Sequence, residues 1–183
     1  NVFTATSAST LDLDTTVGTA NLSITGGGSN IRIDETNAII LASVTTSDGS
    51  IIVNAGGTMS ATVVTAGGGD ADDDVSLATS AGDIAASAIT AAGNDVTLNA
   101  AGSVTDGNAG ATNITAANLD ATAATGIDLD TDADSITAAV SGTGVVDIDE
   151  SDAVTLTSVT TADGSITVDA GGTMSATVVT AGG

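Results

Sequence analysis

The chain has no Cys, His, Lys, Pro, Trp or Tyr, one aromatic residue, Phe3, and one basic residue, Arg32. Each absence excludes something. Without Cys there are no disulfides and no thiol chemistry, and the redox compartment stays open. With a single base against 23 acids, and a formal charge of −22 over 183 residues, nucleic acid and anionic membranes are excluded as partners, because both are gripped by Lys and Arg. No apolar run reaches the length of a membrane-spanning helix. The lack of His, Cys, Lys and Tyr removes the common catalytic bases and nucleophiles. Carboxylate pairs of the glycosidase type remain, but one aromatic and one base give little to hold a sugar. Neither an initiator Met nor a signal peptide is present, so a mature chain or an excised piece is expected.

What is present is small and β-branched. Ala, Val and Ile dominate the 42% apolar content, beside 23 glycines. Mean hydropathy is positive, +0.37, which sets the chain apart from disordered acidic sequences. Side chains of this size suit a thin β structure with a narrow core.

Two motifs alternate along the whole chain. The first is an apolar residue followed by Thr: Phe3, Ile24, Val44, Val64, Ile89, Ile114, Ile136, Val159 and Val179 each precede a threonine, at spacings of 21, 20, 20, 25, 25, 22, 23 and 20. The second is apolar-x-apolar-x: "LDLD" at 11, "IRID" at 31, "IIVN" at 51, "VSLA" at 75, "VTLN" at 96, "IDLD" at 127, "VDID" at 146 and "ITVD" at 166. A strand buries every second side chain, so the second motif is a half-buried strand. Gly-rich turns such as "SDGS" at 47 and "ADGS" at 162 separate the strands. Recurrence at this period is the signature of a solenoid. The expectation is an all-β, parallel β-helix of about 22 residues per coil and eight to nine coils. At about 4.8 Å per coil it makes a rod on the order of 40 Å long.

A longer repeat lies on top. The segment ending at Gly68 recurs at Gly183, 115 residues later, which at the expected period is a five-coil super-repeat. Between the copies Ile40, Ala42, Ile52 and Asn54 become Thr155, Thr157, Thr167 and Asp169, while the alternating Leu41, Ile51, Val53 and Ala55 keep apolar partners. One side of each strand therefore faces a core and the other faces water. A string of immunoglobulin-like sandwiches would also suit a 115-residue repeat, but not an inner period near 22 or the missing Trp and Tyr.

The stretches "DGSITVDAGGTMSATVVTAGG", "NDVTLNAAGSVTD" and "ATGIDLDTDADSI" resemble the repeat regions of giant bacterial surface exoproteins of the filamentous-haemagglutinin type. The likeness covers essentially the whole chain. It implies a right-handed parallel β-helical rod that holds adhesive or protective regions away from the cell. Because the resemblance is to scaffold repeats, it transfers no functional residues, and the family's N-terminal secretion domain is not visible.

Three surfaces are candidate sites. Outward residues of the second ladder form an expected column, Asp14, Asp34, Asn54, Ala78, Asn99, Asp130, Asp149 and Asp169, in which the last three are consecutive. Neighbouring carboxylates repel, and Ca2+ takes such oxygens readily. Arg32 is expected to neutralise Asp12, Asp14 or Asp34. Asp70, Asp72 and Asp74 in "GGGDADDD" have the D-x-D-x-D spacing of a calcium loop, without the Gly and distant Glu of an EF-hand. The alternative to Ca2+ at both is a solvated acidic face. Ser-x-Thr pairs around Thr25, Thr45, Thr137 and Thr160 give hydroxyl rows similar to those of ice-binding solenoids, with an interrupted Ser column. Asn21 and Asn113 open formal glycosylation sequons.

Residues 1–183 are thus read as one continuous, uncapped solenoid segment. The expected role is structural, in an extracellular filament or adhesin stalk at the bacterial surface, with no enzymatic activity and no required cofactor. A calcium-binding module is the alternative, with an ice-binding protein or a polysaccharide-acting β-helix more remote. The expected partner is a continuation of the same chain or another copy stacked end to end. The adhesion ligand is not legible.

Overall fold

The computed structural model describes residues 1–183, all strand and connection with no helix. The first strand is Val2–Ser7 and the last Val179–Ala181. Every strand pairing is parallel and joins one coil to the next. The chain is a parallel β-solenoid of nine coils with spacing near 20 residues, as the alternation of its two motifs predicts.

Following the pairings fixes the columns. Leu11 lies under Ile31, and the stack continues through Ile51, Val75, Val96, Leu119, Ile136 and Leu156 to Ala176. Two residues on, Leu13 begins a column that passes Leu77 and Leu98 and ends at Val179. These columns line face 1. Face 2 carries Ile39, Met59, Ile84, Val104, Ile127, Val146 and Ile166. Face 3 carries Ala5, Leu22, Val44, Val64, Ile89, Ile114, Thr131, Glu150 and Ala170.

The core is the space between these faces, filled by 41 buried apolar residues. Ile51, Val75 and Val96 are each fully buried. Burial fades only at the two ends, where Phe3, Ala5, Leu11, Leu13, Ile166, Val168 and Ala170 are partly covered. Stability in such a stack is a sum of coil and neighbour terms, so an end coil lacks half its neighbours.

Corners are built by local chemistry. In "TSDG", "TSAG" and "TADG" a buried Thr hydroxyl donates to the carbonyl of the Gly three residues on, from Thr46 to Gly49, Thr79 to Gly82 and Thr161 to Gly164. Gly49 has φ +136°, and a Cβ there would sit 2.3 Å from the Ser29 carbonyl oxygen of the coil below. Only glycine supplies that backbone and that closeness.

The structure departs from the expected register at three places. Leu22, not Ile24, stands beneath Val44, and Ala5 rather than Phe3 lies beneath Leu22. Ile114 is followed in its column by Thr131, whereas Ile136 belongs to face 1 on Leu119. The 115-residue repeat is therefore not five coils: five steps above Ile51 the ladder stands at Leu156, ten residues before Ile166, which lies on face 2. Coil length is the reason. The corner insertions at 67–74 and 106–113 lengthen coils, while the unbroken strand Ile127–Thr143 runs through its corners with no loop and shortens the step from Ile114 to Thr131 to 17 residues. The two copies of the repeat thus lie on different faces of the rod.

Candidate functional site

The expected acidic column divides in two. Asp14, Asp34, Asn54, Ala78 and Asn99 do stack on face 1, but that column continues to Thr122, Ala139, Thr160 and Thr180. Asp130, Asp149 and Asp169 stack on face 2, directly on one another. The "IDLD" strand begins 31 residues after Val96, past the next face-1 rung at Leu119, so Ile127 stands on Val104 of face 2.

On face 1 the one base is fully engaged. Arg32 Nη1 donates to Asp12 Oδ1 at 3.3 Å, and Nη2 contacts Asp34 Oδ2. Those bonds raise the guanidinium's already high pKa, the Asp12 hydrogen bond first. Asn54 Nδ2 adds a bond to Asp34 Oδ1 at 2.8 Å. Beside this column an open groove of about 650 Å³ follows the corner, lined by Asp14, Thr15, Glu35, Asn54, Thr79 and Ser80 among others. It offers hydroxyls and carboxylates.

On face 2 the carboxylates have no counter-charge. Asp128 and Asp147 form a second column beside Asp130, Asp149 and Asp169. Partial burial, then the negative neighbours Asp147, Asp106 and Asp149, push the Asp128 carboxyl upward; Asp130 is raised by burial, then by Asp106, Asp149 and Asp128. Asp106 behaves oppositely. It accepts from the backbone N–H groups of Asn108, Ala109 and Gly110 and from Asn113 Nδ2 at 2.7–3.1 Å, and the Asn108 and Asn113 bonds lead in lowering it.

A carboxylate whose folded pKa is raised binds more protons folded than unfolded, so its contribution to stability grows as pH falls through that pKa. Asp128 and Asp130 contribute in that sense above their ordinary value of 3.8; Asp106 contributes stability that is lost only as pH falls below it. The melting temperature is expected to rise on acidification from neutral and to turn down below the ordinary carboxylate range. Asp128→Asn with Asp130→Asn raises the melting temperature at neutral pH and flattens the rise. Calorimetry across pH checks this, and an unaltered profile in the double variant would contradict it.

The "GGGDADDD" corner does not gather its alternate acids. Asp70 and Asp72 are exposed, and Asp74 Oδ1 turns to the next coil to accept from the Asp95 N–H at 3.1 Å. Asp73 is the buried member, at 2% exposure, and accepts from the Asp70 N–H at 3.1 Å. Three carboxylates do meet elsewhere: Asp132, Glu150 and Asp152 offer oxygens within 4.8 Å of one another. This group spans two coils, so no linear spacing announces it.

Glu35 and Glu150, also unforeseen, are the only glutamates, at matching places in the 115-residue repeat. Both are buried. Glu35 Oε2 accepts from Thr15 Oγ1 at 2.5 Å and from the Val17 N–H at 2.7 Å, and Oε1 accepts from the Asn37 N–H at 3.0 Å. Glu150 Oε2 likewise accepts from Thr131 Oγ1 at 2.7 Å and the Ala133 N–H at 3.0 Å. Each carboxylate staples its corner to the coil below, on whichever face that corner falls. The chain's sole use of Glu was the signal available.

Among hydroxyls, Thr6, Ser23, Thr45, Thr65, Thr90 and Thr115 form an unbroken column that gives way to Asp132 above. Asn113 is 1% exposed and donates to Ala86 O, Asp106 and Asn108, so its sequon is closed by packing; Asn21 is exposed. No helix is long and apolar enough to cross a membrane. No protein-family model, curated protein or solved structure matches the chain significantly.

Proposed function

We propose that this chain is a structural repeat segment of an extracellular bacterial filament or adhesin stalk, in which the acidic rod itself is the functional object. The observation that carries this reading is the unbroken nine-rung column from Leu11 to Ala176. Such a stack resists bending and spaces whatever it holds, while the outward acids keep it soluble. The resemblance of its repeats to filamentous-haemagglutinin exoproteins supports the same role. Antibodies raised against the chain should label intact cells of the producing bacterium. Labelling only after permeabilisation would overturn the surface assignment. Turnover on a polysaccharide panel is expected to be nil.

A second reading, a calcium-binding solenoid, draws on the uncompensated face-2 ladder and on the meeting of Asp132, Glu150 and Asp152. Structural Ca2+ would stabilise the fold by mass action. Under the structural reading the melting temperature is the same in EDTA as in millimolar Ca2+, whereas a rise of several degrees with Ca2+ favours the second.

A further inference from the structure

The acids are not spread evenly over the lower coils. Residues 36–47, 49–69 and 84–94 contain no charged side chain. Among them runs the outward column of face 2, Thr19, Ile40, Ser60, Ala85 and Thr105, five stacked rungs all at least partly open to solvent. Face 1 of the neighbouring strands carries Asp14, Arg32, Asp34 and Asp95 instead. Ile40, a large apolar residue, is 46% exposed. Beside it a groove of about 460 Å³ runs along Met59, Ser60 and Ala85 to Thr105. The one acid at its edge, Asp83, accepts from the N–H and hydroxyl of Ser103 at 2.8 and 2.9 Å.

We propose that a second copy of this chain docks side by side on this face, antiparallel, about a two-fold axis through Ser60. A two-fold contact must be self-complementary, and this column is. Ser60 meets its own copy, Ile40 enters the groove over Ala85 of the second copy, and Thr19 faces Thr105. Large meets small on both sides of the axis, and hydroxyl meets hydroxyl. The contact needs only the solenoid faces and not export, so it and the surface assignment fail independently.

Charge fixes the face and the direction. A net charge of −22 keeps rods apart wherever acids approach one another, as they would across face 1. The hydroxyl column of face 3 is uncharged too, but its Ser and Thr side chains offer no knob for a hollow. Parallel rods would set Asp128, Asp130, Asp147 and Asp149 of face 2 against their own copies. Antiparallel about Ser60, the coil of Asp128 and Asp130 comes opposite that of Val2 and Thr4, which has no acid there. Five rungs at about 4.8 Å and five residues at about 3.3 Å give a patch of roughly 400 Å² a side. That is the size of a transient contact, so association is reversible and shows at high protein concentration.

The chain has no Cys, so engineered thiols report without background. Under mild oxidant in EDTA, Ser60→Cys should form a disulfide homodimer, while Thr97→Cys, exposed on face 1, should not. Ile40→Cys alone should stay monomeric, yet link to Ala85→Cys when the two are mixed. Ile40→Asp, at an exposed position, should remove the Ser60→Cys link while leaving circular dichroism unchanged. Raising salt from about 0.05 M to about 0.5 M should increase the yield, because it screens the rods' repulsion and leaves an uncharged contact intact. Ser60→Cys linking no better than Thr97→Cys would overturn the docking. So would a parent chain that sediments as a monomer up to millimolar concentration. An Ile40→Cys homodimer would overturn the antiparallel register, and a yield that falls with salt or needs Ca2+ would overturn the uncharged contact.

Discussion

Glu35→Ala is expected to destabilise the fold by about 3 kcal/mol, since hydrogen bonds to a charged group contribute about 1.5–3 kcal/mol each and orphaned donors cost about 1–3. The substitution leaves the Val17 N–H, the Asn37 N–H and the Thr15 hydroxyl without their acceptor. Two of these donors belong to the coil below, so the loss falls on the coupling between coils and not on one strand. Glu150→Ala should behave alike, because Thr131 and Ala133 take the places of Thr15 and Val17. Asp95→Asn, at an exposed outward position, is the control, expected within about 0.5 kcal/mol of the parent. Chemical denaturation with hydrogen exchange checks the set. If Glu35→Ala matches the control, the staple has no energetic role.

Leu98→Ala is expected to cost about 2–5 kcal/mol, the range for a large side chain removed from a packed core. Leu98 is fully buried, with Leu77 below and Ala121 above. A cavity there interrupts the stack on both sides, and neither neighbour can collapse without breaking its own pairing. Leu13→Ala removes the same atoms from the same column in the first coil, where the residue is only partly covered, and should cost less than half as much. The ratio is the informative quantity, because it follows from nearest-neighbour coupling along a one-dimensional stack. Equal losses at the two positions would indicate a globular core without an axis.

The architecture was legible because each strand repeats one rule. Alternation in "LDLD", "IIVN" and "ITVD" announced one buried and one wet side, and the pairing of Ile51 with Val75 and of Val75 with Val96 follows from it. Phase was not legible. All three faces obey the same rule, so only corner lengths reveal which face a strand occupies, and polar corner residues carry no periodic signal. "IIVN" and "ITVD", nearly identical and 115 residues apart, therefore lie on faces 1 and 2. The same uncertainty joined Asp34 and Asp130 into one expected column that the structure separates. The Arg32 pairing was legible, being the only cation side chain, with Asp12 one coil below and Asp34 two residues on in the same strand. The Glu35 and Glu150 staples are not legible in the sequence, because buried glutamates are rare and a solvated role is the usual one. Asp132, Glu150 and Asp152 meet only after winding.

The most direct test of the winding itself is a distance between spin labels at Ser23→Cys and Thr115→Cys. These positions are 92 residues apart in sequence but four rungs apart in one outward column, through Thr45, Thr65 and Thr90. At about 4.8 Å per rung a narrow distribution centred near 19 Å is expected, broadened only by the label arms. A broad distribution, or a mean beyond about 35 Å, would contradict the stacked coil on which the rod and its staples depend.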